Sequence, residues 1–291
     1  MRPTRAGRVR DLCVLLLLAG YAIPYFWQIL TSLKPEAELL SLPPLLPSRI
    51  TWEHYRAVIE QSLIPRALGN SLGVALVTTV VALALGVLAA YALARLPVPG
   101  KSLILLGIVA GSAFPQIATV SPLYLLMRAL GLRDTWTGLV LANVSFALPL
   151  VIWLLAGFIR EIPEELEQAA ALDGASRFAV FRFVLVPLVA PGMASAALLT
   201  FLASWNEFLF AYTFTATGAS RTVPVALALF PGIFEVPWGD IAAASILASL
   251  PPILLVAVLQ RYLIRGLLAG ALREWGSRRW APGAGAMMPG P

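Results

Sequence analysis

Charge is what this chain has least of. Only 12% of its 291 residues are Asp, Glu, Lys or Arg, whereas a soluble domain carries roughly a quarter. That shortage excludes a water-soluble globular protein. The single cysteine, Cys13, lies in an apolar run. It excludes a disulfide framework within the chain and a cysteine-built metal site. The single histidine, His54, leaves little for imidazole chemistry and reads as a solvated loop residue. Nowhere does the sequence run Gly-x-x-x-x-Gly-Lys-Ser/Thr, so the chain has no loop of the kind that cradles nucleotide phosphates.

What is present is apolar: 59% of the residues are hydrophobic, and the mean hydropathy is +0.83. An all-α polytopic membrane protein is the class that fits. Six runs reach the roughly 20 residues a helix needs to cross a bilayer core: Leu12–Leu30, Asn70–Ala94, Leu103–Met127, Thr137–Ile159, Leu188–Thr213 and Ile241–Leu263. The first follows Arg2, Arg5, Arg8 and Arg10, as a secretory signal would. It continues through Tyr25, Phe26 and Trp27 without a small-x-small cleavage site and is expected to remain as an anchor.

The formal net charge is +6. The basic residues are scattered between apolar runs instead of forming one patch, so topology explains them better than nucleic acid does. With the N-terminus inside, fourteen of the 21 lysines and arginines fall on the inner side and seven on the outer. Both termini, and the segment 160–187, are therefore expected in the cytoplasm. Residues 1–291 read as one transmembrane domain with its core spans at about 70–263. The Gly/Pro-rich tail 276–291 is expected to be disordered. In the outer segment 31–69, "TWEHYRAVIEQ" suits one short surface helix.

Two small-residue spacings, Gly107/Gly111 and Ala82/Gly86/Ala90, permit close helix approach. Pro115, Pro122, Pro149, Pro251 and Pro252 interrupt spans 3, 4 and 6 and are expected to make flexible points.

The segment between spans 4 and 5 carries the clearest local signals. Pro163 suits the first position of a helix. Glu164, Glu165 and Glu167 then fall in its first turn, where negative charge complements the helix dipole. Gly174, after Asp173, suits a left-handed terminator. Ser176 suits the cap of a second helix, with Pro187 at its junction with span 5. Ala169, Ala170 and Ala171 offer little bulk, and a small apolar surface ringed by carboxylates suits a knob for another protein's cleft. An amphipathic helix resting on lipid headgroups is the plainer reading, but such helices are usually basic.

"QAAALDGASRFAVFRFVLVP", residues 168–187, resembles the EAA motif of ABC-importer permease subunits: E-A-A, three residues, Gly, nine residues, I-x-L-P. The matching positions are Gln168, Ala169, Ala170, Gly174, Val184, Val186 and Pro187. "NSLGVALVTTVVALALGVLAAYALAR", "FPQIATVSPLYLLMRALGLRDTW", "SWNEFLFA" and "QRYLIRGLLAGALR" are similar to sugar-importer permeases of the maltose/trehalose type, so the likeness covers nearly the whole chain. Two departures stand out: the motif's leading acid is Gln168, which cannot form an ion pair, and valines replace Ile and Leu.

The resemblance implies a type I importer permease fold with six spans in a bacterial or archaeal cytoplasmic membrane. It implies a heterodimer with a second permease, two cytoplasmic ATPase subunits that bind the ATP and Mg, and an extracytoplasmic sugar-binding protein. It also implies an ATPase-docking coupling helix built of Glu164, Glu165, Glu167, Gln168, Ala169, Ala170, Leu172, Asp173 and Gly174. No cofactor, metal or catalytic residue is expected in this chain.

Glu207, in "SWNEF", is the one acid well inside an expected span. Its burial costs about 2.5 to 3.5 kcal/mol on insertion scales, so it should face protein or water. Trp205, Asn206 and Glu207 together offer a sugar an aromatic face and polar groups; they serve equally as a packing and gating cluster. Asn143 and Ser145 in span 4 raise the same pair of readings. The rival from another class is an ion-coupled secondary transporter using Glu207 as its ion site. A membrane scaffold without transport would leave Glu207 and the broken spans unexplained.

Overall fold

Where water is absent, every backbone N–H and C=O must be bonded within the segment, and apolar runs therefore fold as helices. The computed structural model describes residues 5–39, 46–230 and 236–279, and among these there is no strand. In chain order the helices are α1 Arg5–Ser32, α2 Glu36–Leu39, α3 Glu53–Gln61, α4 Ile64–Arg95, α5 Lys101–Ser112, α6 Gln116–Ala129, α7 Trp136–Glu161, α8 Glu164–Leu172, α9 Arg177–Ala179, α10 Val186–Trp205, α11 Leu209–Phe214, α12 Val223–Ala228 and α13 Trp238–Arg279. A π-helical segment, Val180–Leu185, joins α9 to α10. Five helical stretches are long and apolar enough to cross a membrane, or up to six if the bent pair α5 and α6 counts as one span. The helix at Glu53–Gln61 is the short one expected from "TWEHYRAVIEQ".

Three boundaries differ from the sequence reading. The expected span Leu103–Met127 is broken at residues 113–115, because Pro115 has no N–H and disfavours helix in the residue before it. The expected span Leu188–Thr213 instead runs from Arg177 to Trp205 and stops. Pro187 lies beside the change from the π segment Val180–Leu185 to α10, which begins at Val186, but the helical stretch runs on through it. The other prolines also fail to interrupt: Pro122, Pro149, Pro251 and Pro252 all sit inside continuous helices. In the expected tail, residues 276–279 continue α13, and 280–291 lie outside the described residues.

The chain forms two compact units. One comprises Met1–Ala75, Gln116–Ala142 and Ser204–Ile253; the other comprises Leu76–Pro115, Asn143–Ala203 and Leu254–Pro291. Each of α4, α7, α10 and α13 contributes residues to both. In the second unit, Ala82, Ala90, Val151, Leu155, Ile159, Leu185 and Val189 form one buried cluster. The small-residue ladder works here as expected: a Cβ on Gly86 would sit 2.4 Å from Val151 Cγ1, so only glycine lets α4 and α7 meet there. The Gly107/Gly111 pair has nothing within 4 Å, and α5 has no buried residue.

In the first unit, Val58, Ile64, Ala67, Val223, Ala243, Ala244 and Ala248 form the core. His54 corrects the sequence reading: it is 4% exposed, not solvated. Its Nδ1 lies 2.7 Å from Asp240 Oδ1, and its Nε2 lies 2.9 Å from the Lys34 carbonyl. A carbonyl only accepts, so Nε2 carries a hydrogen. The buried Lys34 ammonium lies 4.6 Å from the centre of the Trp27 ring, whose π face is a partner for a cation.

Asn70 is a second clamp in this unit. Its Nδ2 donates to the Arg221 carbonyl at 2.9 Å, and its Oδ1 accepts from Trp136 Nε1 at 3.1 Å.

Candidate functional site

The helix α8 begins one residue after the position expected for it. Pro163 is extended (φ −58°, ψ 131°) and Glu164 is the first helical residue. Glu164, Glu165 and Glu167 occupy the first turn, where each contributes about 0.3 to 1 kcal/mol against the helix dipole. The C-terminal end is closed as the sequence suggests. Gly174 adopts φ +88°, its N–H donates to Ala171 O at 3.1 Å, and Ala175 N–H donates to Ala170 O at 3.0 Å. These crossed bonds are a Schellman motif, which satisfies carbonyls that the helix end leaves open. Ser176 Oγ then accepts from Ala179 N–H at 3.2 Å and caps α9. The knob is thus stiffened at its far end by the turn and the cap that follow it.

One face of α8 is open. Leu172 is 89% exposed, and Glu164, Glu165, Gln168, Ala169, Asp173 and Gly174 are exposed with it, while Ala170 is half-buried. Glu167 points the other way. Its side chain is 15% exposed, and its Oε1 accepts from Arg95 Nε at 2.5 Å. Arg95, the last residue of α4, is 8% exposed. It also donates from Nη2 to the Ile162 carbonyl at 2.6 Å and lies 3.8 Å from Glu164 Oε1. Losing one member of a buried ion pair costs about 3 to 5 kcal/mol, because the other charge is left unpaired. The Glu164 contact, with that carboxylate mostly in water, adds little. Sequence reasoning placed Glu167 on the docking surface and missed Arg95; their 72-residue separation leaves no local signal.

Glu207 also differs from its expected setting. The helix α10 ends at Trp205, and Glu207 lies in the turn before α11. Glu207 Oε1 accepts from Phe210 N–H at 2.6 Å and Oε2 accepts from Ala211 N–H at 3.0 Å. Both oxygens therefore cap the first amides of α11. Trp205 is buried at 4% and Asn206 is exposed. Asn143, on α7, is buried at 8% and belongs to the other unit.

The loop between α6 and α7 supplies a group that the sequence did not point to. Asp134 has φ +56°, unusual for a residue other than glycine. Its N–H donates to Phe214 O at 2.9 Å. Its carboxylate accepts from Ala216 and Thr217 N–H at 3.0 and 3.2 Å and from the Thr217 and Ser220 hydroxyls at 2.6 and 2.5 Å. Burial pushes its pKa up, but these hydrogen bonds outweigh burial and hold it at about 2.

Residues 82–268 match the family of binding-protein-dependent transport system inner membrane components. The chain is 46% identical over 260 residues to the trehalose transport system permease protein SugB of Mycobacterium tuberculosis, covering 88% of this chain and 94% of that one. It is 37% identical over 253 residues to the trehalose/maltose transport system permease protein MalG of Thermococcus litoralis, covering 86% and 91%. A crystal structure of a bacterial ABC transporter involved in alginate import aligns with a TM-score of 0.76 at 22% identity, over 90% of this chain and 99% of that one. The chain belongs to this family of inner membrane components, and its fold is that of an ABC importer permease.

Proposed function

We propose that this chain is the non-catalytic permease subunit of an ATP-driven importer of a di- or oligosaccharide of the trehalose or maltose kind. It forms the translocation path with a second permease and receives sugar from an extracytoplasmic binding protein. Through α8 it docks a cytoplasmic ATPase, which binds the ATP and Mg. The relatives described above support the substrate class, and the count of basic residues supports the cytoplasmic placement of α8. The observation that carries the docking role is α8 itself. It is exposed along one face, closed by a Schellman turn, and leads directly into the stretch Arg177–Trp205. Glu165, Gln168, Ala169, Leu172, Asp173 and Gly174 form the surface offered to the ATPase. Glu164 stands at its edge, and Ala170 backs it.

Closure of the ATPase subunits would bring two such helices together and shift the spans attached to them, a mechanical two-state transfer. We assign Trp205, Asn206 and Glu207 to the sugar's path in one unit, where Glu207 holds the turn before α11, and Asn143 on α7 to it separately. The ion-coupled alternative is not favoured, because both Glu207 oxygens are held by α11 amides.

Co-expression with the subunits encoded beside it, purification and reconstitution test the reading. A bound ATPase and ATP-dependent uptake from a panel including trehalose and maltose are expected. A complex with no ATPase, or uptake driven by an ion gradient without ATP, refutes it.

A further inference from the structure

We propose that Arg95 is a positioning residue that carries the displacement of α8 into the transmembrane helix α4. This inference rests on the docking role of α8 proposed above. The chain links α8 covalently to α7 through Ile162 and Pro163, and to α10 through Gly174 and α9. It has no such link to α4. Among the described residues, the guanidinium of Arg95 makes the side-chain hydrogen bonds and ion pairs that tie α8 to another helix.

The grip has two points. Nε holds Glu167 in the first turn of α8, and Nη2 holds the carbonyl of Ile162, just before that helix. A rigid planar fork can do both at once; a lysine's single ammonium cannot keep this geometry. A crevice of about 300 Å³ opens where Tyr91 and Pro97 face Gln168 and Ala171. Side-chain packing is therefore incomplete beside the grip, and the polar link is the stiff connection there. Because the groups are sheltered from water, salt screens the link weakly.

The test uses the whole reconstituted transporter and reads sugar moved per ATP hydrolysed, beside the amount of ATPase that copurifies. Arg95→Lys keeps the charge and loses the fork; the pair Arg95→Ala with Glu167→Ala removes both charges and leaves no buried carboxylate unpaired. In each, complexes that still contain the ATPase are expected to move at least about fivefold less sugar per ATP, with Arg95→Lys the milder. A purely structural role lowers the yield of complex and leaves the ratio unchanged. An unchanged ratio in both variants, or failure of both to assemble, overturns the proposal. A wild-type complex without ATPase would instead refute the docking role on which it rests.

Discussion

Asp134 shows how one side chain can hold a loop. Its backbone is in a left-handed conformation that costs on the order of 1 to 3 kcal/mol. The carboxylate offsets this by accepting four hydrogen bonds from residues 216–220. A pKa lowered from 3.8 to about 2 means that the ionised form is favoured by folding. Its contribution is full above pH 3.8 and is lost as pH falls towards 2. Asp134→Ala should destabilise the detergent-solubilised protein by on the order of 2 kcal/mol at pH 7, the scale of losing hydrogen bonds to a charge. The gap between variant and wild type should narrow between pH 4 and pH 2 in denaturant titrations, and a gap independent of pH would contradict the assignment. His54 illustrates what a sequence hides at this scale. Its partner Asp240 is 186 residues away, so nothing local marks the histidine as buried. Glu207 hides for another reason: the apolar run "FLFAYTF" continues past it, and periodicity does not register that α10 has already stopped.

At the scale of elements, the local signals around α8 were legible because they act over a few residues. Gly174 and Ser176 close and reopen the helix where their chemistry demands, while Pro163 falls one residue outside it. The prolines of α6, α7 and α13 misled, because membrane helices tolerate a lost N–H when neighbours re-satisfy the freed carbonyl. Gly174 gives the sharpest test of the knob. Valine at φ +88° is strained by about 1 to 3 kcal/mol and should fray the Schellman turn. Gly174→Val should insert in the membrane in normal amounts and yet transport at a fraction of the wild-type rate, read as uptake normalised to immunoblotted permease. Wild-type uptake would separate the turn from coupling.

For the whole molecule, the helical membrane class followed from composition alone, because so few charges cannot wet a soluble surface. The approximate count of spans followed from run length. The division into two units did not, because it depends on which parts of α4, α7, α10 and α13 pack together, and those contacts are far apart in the chain. The central claim is that the exposed tip of α8 enters an ATPase subunit. It is tested most directly by cross-linking from Leu172, which is 89% exposed at that tip. With Cys13 replaced by serine, Leu172→Cys should form a cross-link to the ATPase in native membranes, whereas a cysteine at Leu15 on α1 should not. ATPase present in the purified complex but never cross-linked to position 172 would contradict the docking of α8.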